Sequence, residues 1–481
     1  MSHDLHRLAE RLRPHLPARA IVTDPAAIAP WLTDWRRRFH GQSTLLLAPA
    51  TIVEVQAIVD AARSLGVPLV PQGGNSSMVG GATPPRDGRA AILSLRRMNR
   101  VRTLDAGAGL AIAEAGVILA DLHAAAANAG RRFPLSLGAK GSATVGGLVS
   151  TNAGGTQVLR FGTMRTLVAG VEAVLPDGTH YDGLSALKKD NRGYDIDQLL
   201  IGAEGTLGVV TAATLRLAPA VGARCVAWVG LDSPGEAMAL LHRVDHATPA
   251  LESFELLPAE SLAAVLAHIP GTRAPLATAH PWHALVEVTA EAPGDDPAAL
   301  VEHVLAAAID DGVVRDAVLA ASEAQADAFW RIRESISDAE RASGPAAQHD
   351  ISVPVAAMPR FMVEAAAACD ARFPGTRASG FGHLGDGNVH FHVRAAPGTD
   401  PAHWYDEQVP VISRFVHDLV VAAGGSISAE HGIGQMKRAE LERLSSPARL
   451  SALRAIKRAF DPRELFNPGK LVTLATDAPD Q

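Results

Sequence analysis

Two short stretches hold the side chains best suited to chemistry: Gly382-His383-Leu384-Gly385-Asp386-Gly387-Asn388-Val389-His390 and, some forty residues later, Ala429-Glu430-His431-Gly432. His383 and His390 flank a Gly-Asp-Gly turn, and the residues from Asn388 to Val393 alternate with the period of two expected of a strand, so His390 and His392 share a face. A tight turn brings His383 back towards His390 and offers two nitrogen ligands on a stiff loop. Glu430 could add an oxygen. Two imidazoles and a carboxylate with an open position form a catalytic rather than a structural metal arrangement. Taken alone, the stretch fits a glycine-rich turn with hydrogen-bonded histidines equally well.

The rest of the chain must position these groups. Its 481 residues suffice for two or three domains with proper cores, and 47% apolar with 20% charged residues suits a soluble globular protein. A net charge of -7, with no basic run longer than Arg36-Arg37-Arg38, argues against nucleic acid as a partner. Cys225 and Cys369 are the only cysteines and lie far apart, which argues against a disulfide framework and against cysteine-held zinc or iron-sulfur sites. No signal-type segment and no bilayer-length apolar run occurs, so the expected location is cytoplasmic, with a peripheral membrane contact left open.

Three glycine-rich loops stand out. A short strand at 45–47, a helix through Val55, Ile58, Val59, Ala62 and Leu65 that stops at Gly66, and a strand at 67–70 lead into Pro71-Gln72-Gly73-Gly74-Asn75-Ser76-Ser77-Met78-Val79-Gly80-Gly81. The second loop spans residues 134–155. The third is Gly202-Ala203-Glu204-Gly205-Thr206-Leu207-Gly208, which opens a strand at 209–217. Successive glycine N–H groups can converge on an anion, as in a pyrophosphate nest, although each loop alone could be a plain turn. None is a Walker loop or a Rossmann fingerprint. Three such loops within 150 residues fit a long ligand, a dinucleotide better than a mononucleotide.

These loops, with Lys189-Asp190-Asn191-Arg192-Gly193-Tyr194-Asp195, the two histidine stretches and Asn467-Pro468-Gly469-Lys470, resemble in order the FAD-linked D-2-hydroxyacid dehydrogenases of the vanillyl-alcohol-oxidase superfamily, the hydroxyglutarate dehydrogenases above all. The resemblance covers about residues 43–472. It implies an α+β fold: a lead-in (1–42), a two-lobed PCMH-type FAD-binding domain (43–218), a ferredoxin-like cap domain (219–432), and a helical C-terminal segment (433–481) that returns to the FAD domain. For the cap we expect an antiparallel sheet with helices on one face.

The resemblance also implies roles. FAD would lie against Pro71, Gly73, Gly74, Asn75, Ser76 and Ser77; against Pro134, Leu137, Gly138, Ser142, Val145, Gly146, Gly147, Thr151, Asn152, Gly154 and Gly155; and against Glu204, Gly205, Gly208, Val209 and Asn467. No histidine or cysteine lies in residues 67–81 or 134–155, so the flavin is expected to be non-covalent. His383, His390 and Glu430 would hold a divalent metal, zinc first, with manganese, cobalt or iron also suited to such a site. The metal would chelate the carboxylate and hydroxyl of a D-2-hydroxyacid, His431 would take the hydroxyl proton, and hydride would pass to flavin N5, giving the 2-oxoacid. Arg333 would grip a substrate carboxylate, with Ser337 four residues on along the same helical face, and Asn388, Gln348 and His392 would complete the substrate site.

Two positions depart from the hydroxyglutarate pattern: Gln348 stands where a lysine is expected, and His392 where an asparagine is expected. D-2-hydroxyglutarate is the first substrate choice, with D-lactate or another, glycolate-like D-2-hydroxyacid as the alternative. Electrons would leave to an electron-transfer flavoprotein, a quinone or a cytochrome, and a homodimer would be unsurprising. Rival readings are a flavin-free metallohydrolase, in which His431 activates water, and a non-catalytic flavoprotein subunit.

Overall fold

The computed structural model describes residues 3–292 and 294–474. The chain forms two units. The first takes the residues up to Gly155, then Gly162–Pro219, and the stretch from Glu430 onward; the second takes Thr156–Phe161 and Ala220–Ala429.

In the first unit the helix Ile52–Leu65 starts where the Thr51 side chain accepts the Glu54 N–H, and it stops at Gly66 in the left-handed conformation. Its buried face of Val55, Ile58, Val59 and Ala62 packs with Leu5, Leu8 and Leu12 of the first helix, His3–Leu12, on the strands Leu69–Gln72 and Ala91–Ser94. Those two strands run parallel, and with Leu46–Leu47 and Ile21–Val22 they make a four-stranded sheet. A second, antiparallel sheet has five strands in the order Val101–Asp105, Leu110–Glu114, Val209–Arg216, Val168–Val174, His180–Asp182. The C-terminal stretch is locked into this unit. Phe466 bridges Leu69, and the buried Lys457 ammonium donates to Asp461 (2.7 Å) and to the Thr206 carbonyl (2.8 Å).

The second unit is a seven-stranded antiparallel sheet in the order Asp316–Leu319, Ala223–Leu231, Trp282–Ala290, Leu251–Pro258, Arg377–His383, Asn388–Arg394, Ala346–Ser352. Helices cover both faces rather than the one we expected. Cys225, Ala227 and Val229 face a core with the helices Pro234–Ala247, Pro297–Asp310, Met358–Arg372 and Val409–Ala422. The alternate residues Val226 and Trp228 face a second core with Ala259–His268, Glu323–Glu334 and Ile336–Ala342. A strand apolar at every position has two faces to bury, and one helical layer cannot cover both.

Candidate functional site

Strand register assembles the histidine site. Ser352, Asn388 and His383 face one another across three strands; Asp350, His390 and Phe381 form the next row, and Gln348, His392 and Ser379 the row after. Because side chains alternate, all nine point to one side of the sheet. Phe381 packs in the second of the two cores, so this is the face covered by the helices that carry Arg333 and Glu340. The turn between His383 and Asn388 closes through Gly387 at φ +81°, where a Cβ would come within 2.2 Å of the Val353 carbonyl oxygen.

The two imidazoles come together, their ring centroids 5.5 Å apart. Each turns Nδ1 towards a buried carboxylate. His383 Nδ1 lies 2.6 Å from Glu255 Oε1, and His390 Nδ1 lies 3.8 Å from Asp350 Oδ1. Asp350 also accepts from Asn388 Nδ2 at 3.0 Å. A carboxylate on Nδ1 is the outer-shell arrangement that presents Nε2 to a metal and raises its basicity. Burial pushes the Glu255 carboxyl up, but Arg333 and His383 outweigh burial and hold it below the usual carboxylate range. Asp386, in the turn, is raised by burial; His383 opposes the rise, while Glu255 and Asp350 add to it. Three carboxylates thus gather about two imidazoles with Arg333 as their guanidinium, a donor set and a charge deficit that fit a divalent cation.

Arg333 is buried, donates Nε to Glu255 Oε2 at 2.6 Å, and stacks over Phe381. Its buried Nη2 has no protein partner among the described residues. Ser337 does not share this face. The helix Glu323–Glu334 ends at Ser335 and a new helix, Ile336–Ala342, begins, leaving Ser337 exposed. His392 stands beside Phe381, with Nδ1 3.4 Å from the buried Glu340, and Glu340 is also paired with Arg394. Burial raises the Glu340 carboxyl, but His392 and Arg394 together bring it below its ordinary range. Gln348 is the cross-strand neighbour of His392.

Glu430 and His431 open the returning stretch of the first unit, one peptide bond beyond Ala429. There the buried Glu204 carboxylate accepts the N–H groups of Ile433 and Gly434, each at 2.7 Å. Burial raises the Glu204 carboxyl, and these two N–H groups, Lys437 and Lys470 oppose the rise. Gln435 Nε2 donates to the Gly80 carbonyl (2.9 Å) and the Thr83 carbonyl (3.1 Å). The segment carrying His431 is therefore pinned to the first and third glycine loops.

Those loops also meet the second. A Cβ on Gly74 would fall 1.8 Å from the Ser142 carbonyl oxygen, and one on Gly73 would fall 2.2 Å from Thr144 Oγ1, so only glycine allows the approach. Asn467 Nδ2 ties the first and third loops by donating to the Gly81 carbonyl (2.9 Å) and the Glu204 carbonyl (2.7 Å). The buried oxygens Thr144 Oγ1 and Asn467 Oδ1 have no protein partner among the described residues, and Asn75, Asn152 and Glu204 adopt left-handed backbone. Such a cradle of converging turns and unspent polar atoms fits a dinucleotide. Several side chains expected at the flavin also make bonds within the fold. Asn75 Nδ2 donates to the Thr33 carbonyl (2.8 Å), Thr151 Oγ1 to the Gly147 carbonyl (2.9 Å), and Asn152 Oδ1 accepts the Arg165 N–H (3.0 Å).

Cradle and fold define a flavin-dependent oxidoreductase. Residues 43–183 match the family of FAD binding domains, and residues 222–471 match that of the C-terminal domains of FAD linked oxidases. D-2-hydroxyglutarate dehydrogenase of Xanthomonas citri pv. viticola is 35% identical over 460 residues, 96% of this chain and 96% of that protein. The mitochondrial D-2-hydroxyglutarate dehydrogenase of Arabidopsis thaliana is 34% identical over 458 residues, 95% of this chain and 80% of that protein. Among solved structures, p-cresol methylhydroxylase superposes with a TM-score of 0.78 at 14% identity, covering 98% of each chain, a likeness of fold. The chain belongs to the FAD-linked D-2-hydroxyacid dehydrogenases. It is an FAD-dependent enzyme, which sets aside the flavin-free hydrolase. Among the described residues no helix is long and apolar enough to cross a membrane.

Glu255 and Glu340 escaped the sequence reading. Both lie far along the chain from the histidines they touch, and a lone glutamate in an apolar strand or helix gives no local signal beyond its oddity there.

Proposed function

We propose that this enzyme oxidises a D-2-hydroxyacid, D-2-hydroxyglutarate first, to its 2-oxoacid. The observation that carries the reading is the buried Arg333 Nη2, without a protein partner, on the sheet face that also holds the histidine pair. A buried, unspent guanidinium N–H beside a cation-ready donor set asks for an anion, and a carboxylate satisfies it. In this reading His383, His390 and Glu430 hold a divalent metal, zinc first, which when bound acidifies the substrate hydroxyl. FAD, held non-covalently in the glycine cradle, accepts the hydride when bound. Arg333 fixes the carboxylate, Asn388 keeps Asp350 and so His390 in place, and His431 receives the hydroxyl proton at an imidazole nitrogen suited to neutral pH. Electrons then pass to an electron-transfer flavoprotein, a quinone or a cytochrome, and the enzyme acts in the cytoplasm as a homodimer.

One specific observation favours a different distal group on the substrate. Gln348 and His392 form a cross-strand pair with no lysine among them, which suits D-lactate or another short hydroxyacid. The test is an anaerobic titration with D-2-hydroxyglutarate, following the long-wavelength flavin band with and without prior chelation. Bleaching that chelation abolishes supports the reading. Bleaching by D-lactate alone moves the substrate, and bleaching indifferent to chelation removes the metal from it.

A further inference from the structure

We propose that Glu255 is a positioning residue whose one carboxylate sets both the metal-binding histidine His383 and the substrate-binding arginine Arg333. The inference rests on the roles just proposed for those two residues. Glu255 is fully buried on the strand Leu251–Pro258, directly opposite His383 in the antiparallel register, so the two side chains start from fixed, adjacent bases. Its two oxygens do not share a partner: Oε1 meets His383 Nδ1 at 2.6 Å and Oε2 meets Arg333 Nε at 2.6 Å.

Each contact decides something about its partner. At His383 a carboxylate on Nδ1 keeps the proton there and makes Nε2 the ligating atom. At Arg333 the Nε edge is spent on Glu255, which orients the planar group and leaves Nη2 as its buried, unsatisfied donor. Phe381 supports the guanidinium from below, its ring centroid 5.3 Å from the Arg333 Cζ. A buried ion pair serving the fold alone would need only Arg333. Engaging the histidine with the second oxygen makes the distance between metal and substrate carboxylate a property of one side chain.

The consequence is that replacing Glu255 should damage two separate affinities at once while leaving the flavin in place. The test compares wild type, E255Q, E255D and E287Q in the flavin-loaded protein. Glu287, on the neighbouring strand Trp282–Ala290, is another largely buried glutamate but is bonded to Trp330 and serves as the control. Zinc affinity is read by competition with a chromophoric chelator, and affinity for 2-oxoglutarate by its perturbation of the flavin spectrum. For E255Q we expect zinc binding about 10- to 100-fold weaker and 2-oxoglutarate binding at least about tenfold weaker, with unchanged flavin absorption. E287Q should move neither. If E255Q does not fold, E255D, which keeps the charge but falls short of two partners, should lose both zinc and oxoacid affinity with the flavin band intact. Wild-type zinc affinity retained in a folded Glu255 variant would overturn the inference alone. Wild type that takes up no zinc would instead overturn the functional reading on which it rests.

Discussion

Arg333 holds its guanidinium carbon 5.3 Å from the centre of the Phe381 ring, and Phe381 stands one cross-strand row from His383 on the sheet. Arg333 is thus stacked against the histidine face and cannot swing away without losing both the ring and Glu255. For R333K we expect the KM for the hydroxyacid to rise by roughly 10- to 100-fold, as a point charge replaces a planar fork, with kcat less affected. R333M should in addition lose stability on the order of 3–5 kcal/mol, because Glu255 is left buried without its guanidinium. Steady-state kinetics and urea denaturation separate the two effects.

Glu204 offers a test from the flavin side. Its carboxylate accepts two backbone N–H groups just beyond His431, and Gly432 leaves room for it, since a Cβ there would sit 2.9 Å from Glu204 Oε1. In E204Q an amide NH2 would face one of these N–H groups, donor against donor. We expect a loss of about 1–3 kcal/mol in thermal or urea stability and a lower kcat, with substrate affinity at Arg333 changed less. Unaltered kcat with normal stability would mean that the segment carrying His431 needs no such clamp.

His283 predicts an acid limb in stability. Trp228 Nε1 donates to its Nδ1 at 3.2 Å, and burial, helped by the neighbouring His280, pushes its pKa down to about 4. Between about 4 and the ordinary value of about 6.5 the unfolded chain binds a proton that the folded chain refuses, so stability is complete above that window and falls as pH drops through it. From pH 7 to pH 5 this one group should remove on the order of 2 kcal/mol. H283Q keeps an acceptor for the indole and removes the titration. Urea midpoints at the two pH values should therefore converge in the variant, and equal convergence in wild type would refute the assignment.

The pairing of His383 with His390 was legible because it is local: seven residues, a glycine turn and a strand of period two put both imidazoles on one face wherever the strand lies. Glycine loops announced a cofactor for a similar reason, since a backbone that must approach another backbone closely tolerates no Cβ. The failures share a different cause. Ser337 was placed on the Arg333 face by continuing a helix that ends at Ser335, and no proline or glycine marks that break. The Asn75 amide reaches back to Thr33 in the lead-in, a pairing 42 residues long that no local pattern encodes. Glu255 meets His383 across 128 residues, so it becomes visible only once strand order is known.

The final prediction concerns the pair that departs from the hydroxyglutarate pattern. His392 Nδ1 lies 3.4 Å from Glu340, whose carboxylate is already paired with Arg394, and Gln348 is the neutral neighbour of His392 across the strands. Introducing a cation at that row, as Q348K, places it on the same sheet face as His390 and one row further from the turn. A distal carboxylate would gain a charge-assisted partner there, whereas a methyl group would gain nothing and would face a newly buried charge. We therefore expect Q348K to raise the ratio of kcat/KM for D-2-hydroxyglutarate over D-lactate by about tenfold or more, most of it through KM. H392N, which removes the ring but keeps a polar group, should loosen the Glu340–Arg394 pair by less than about 1 kcal/mol of stability and shift the same ratio. If neither variant changes the ratio, the distal end of the substrate does not reach this row, and discrimination must come from Arg333 and the residues nearer the turn.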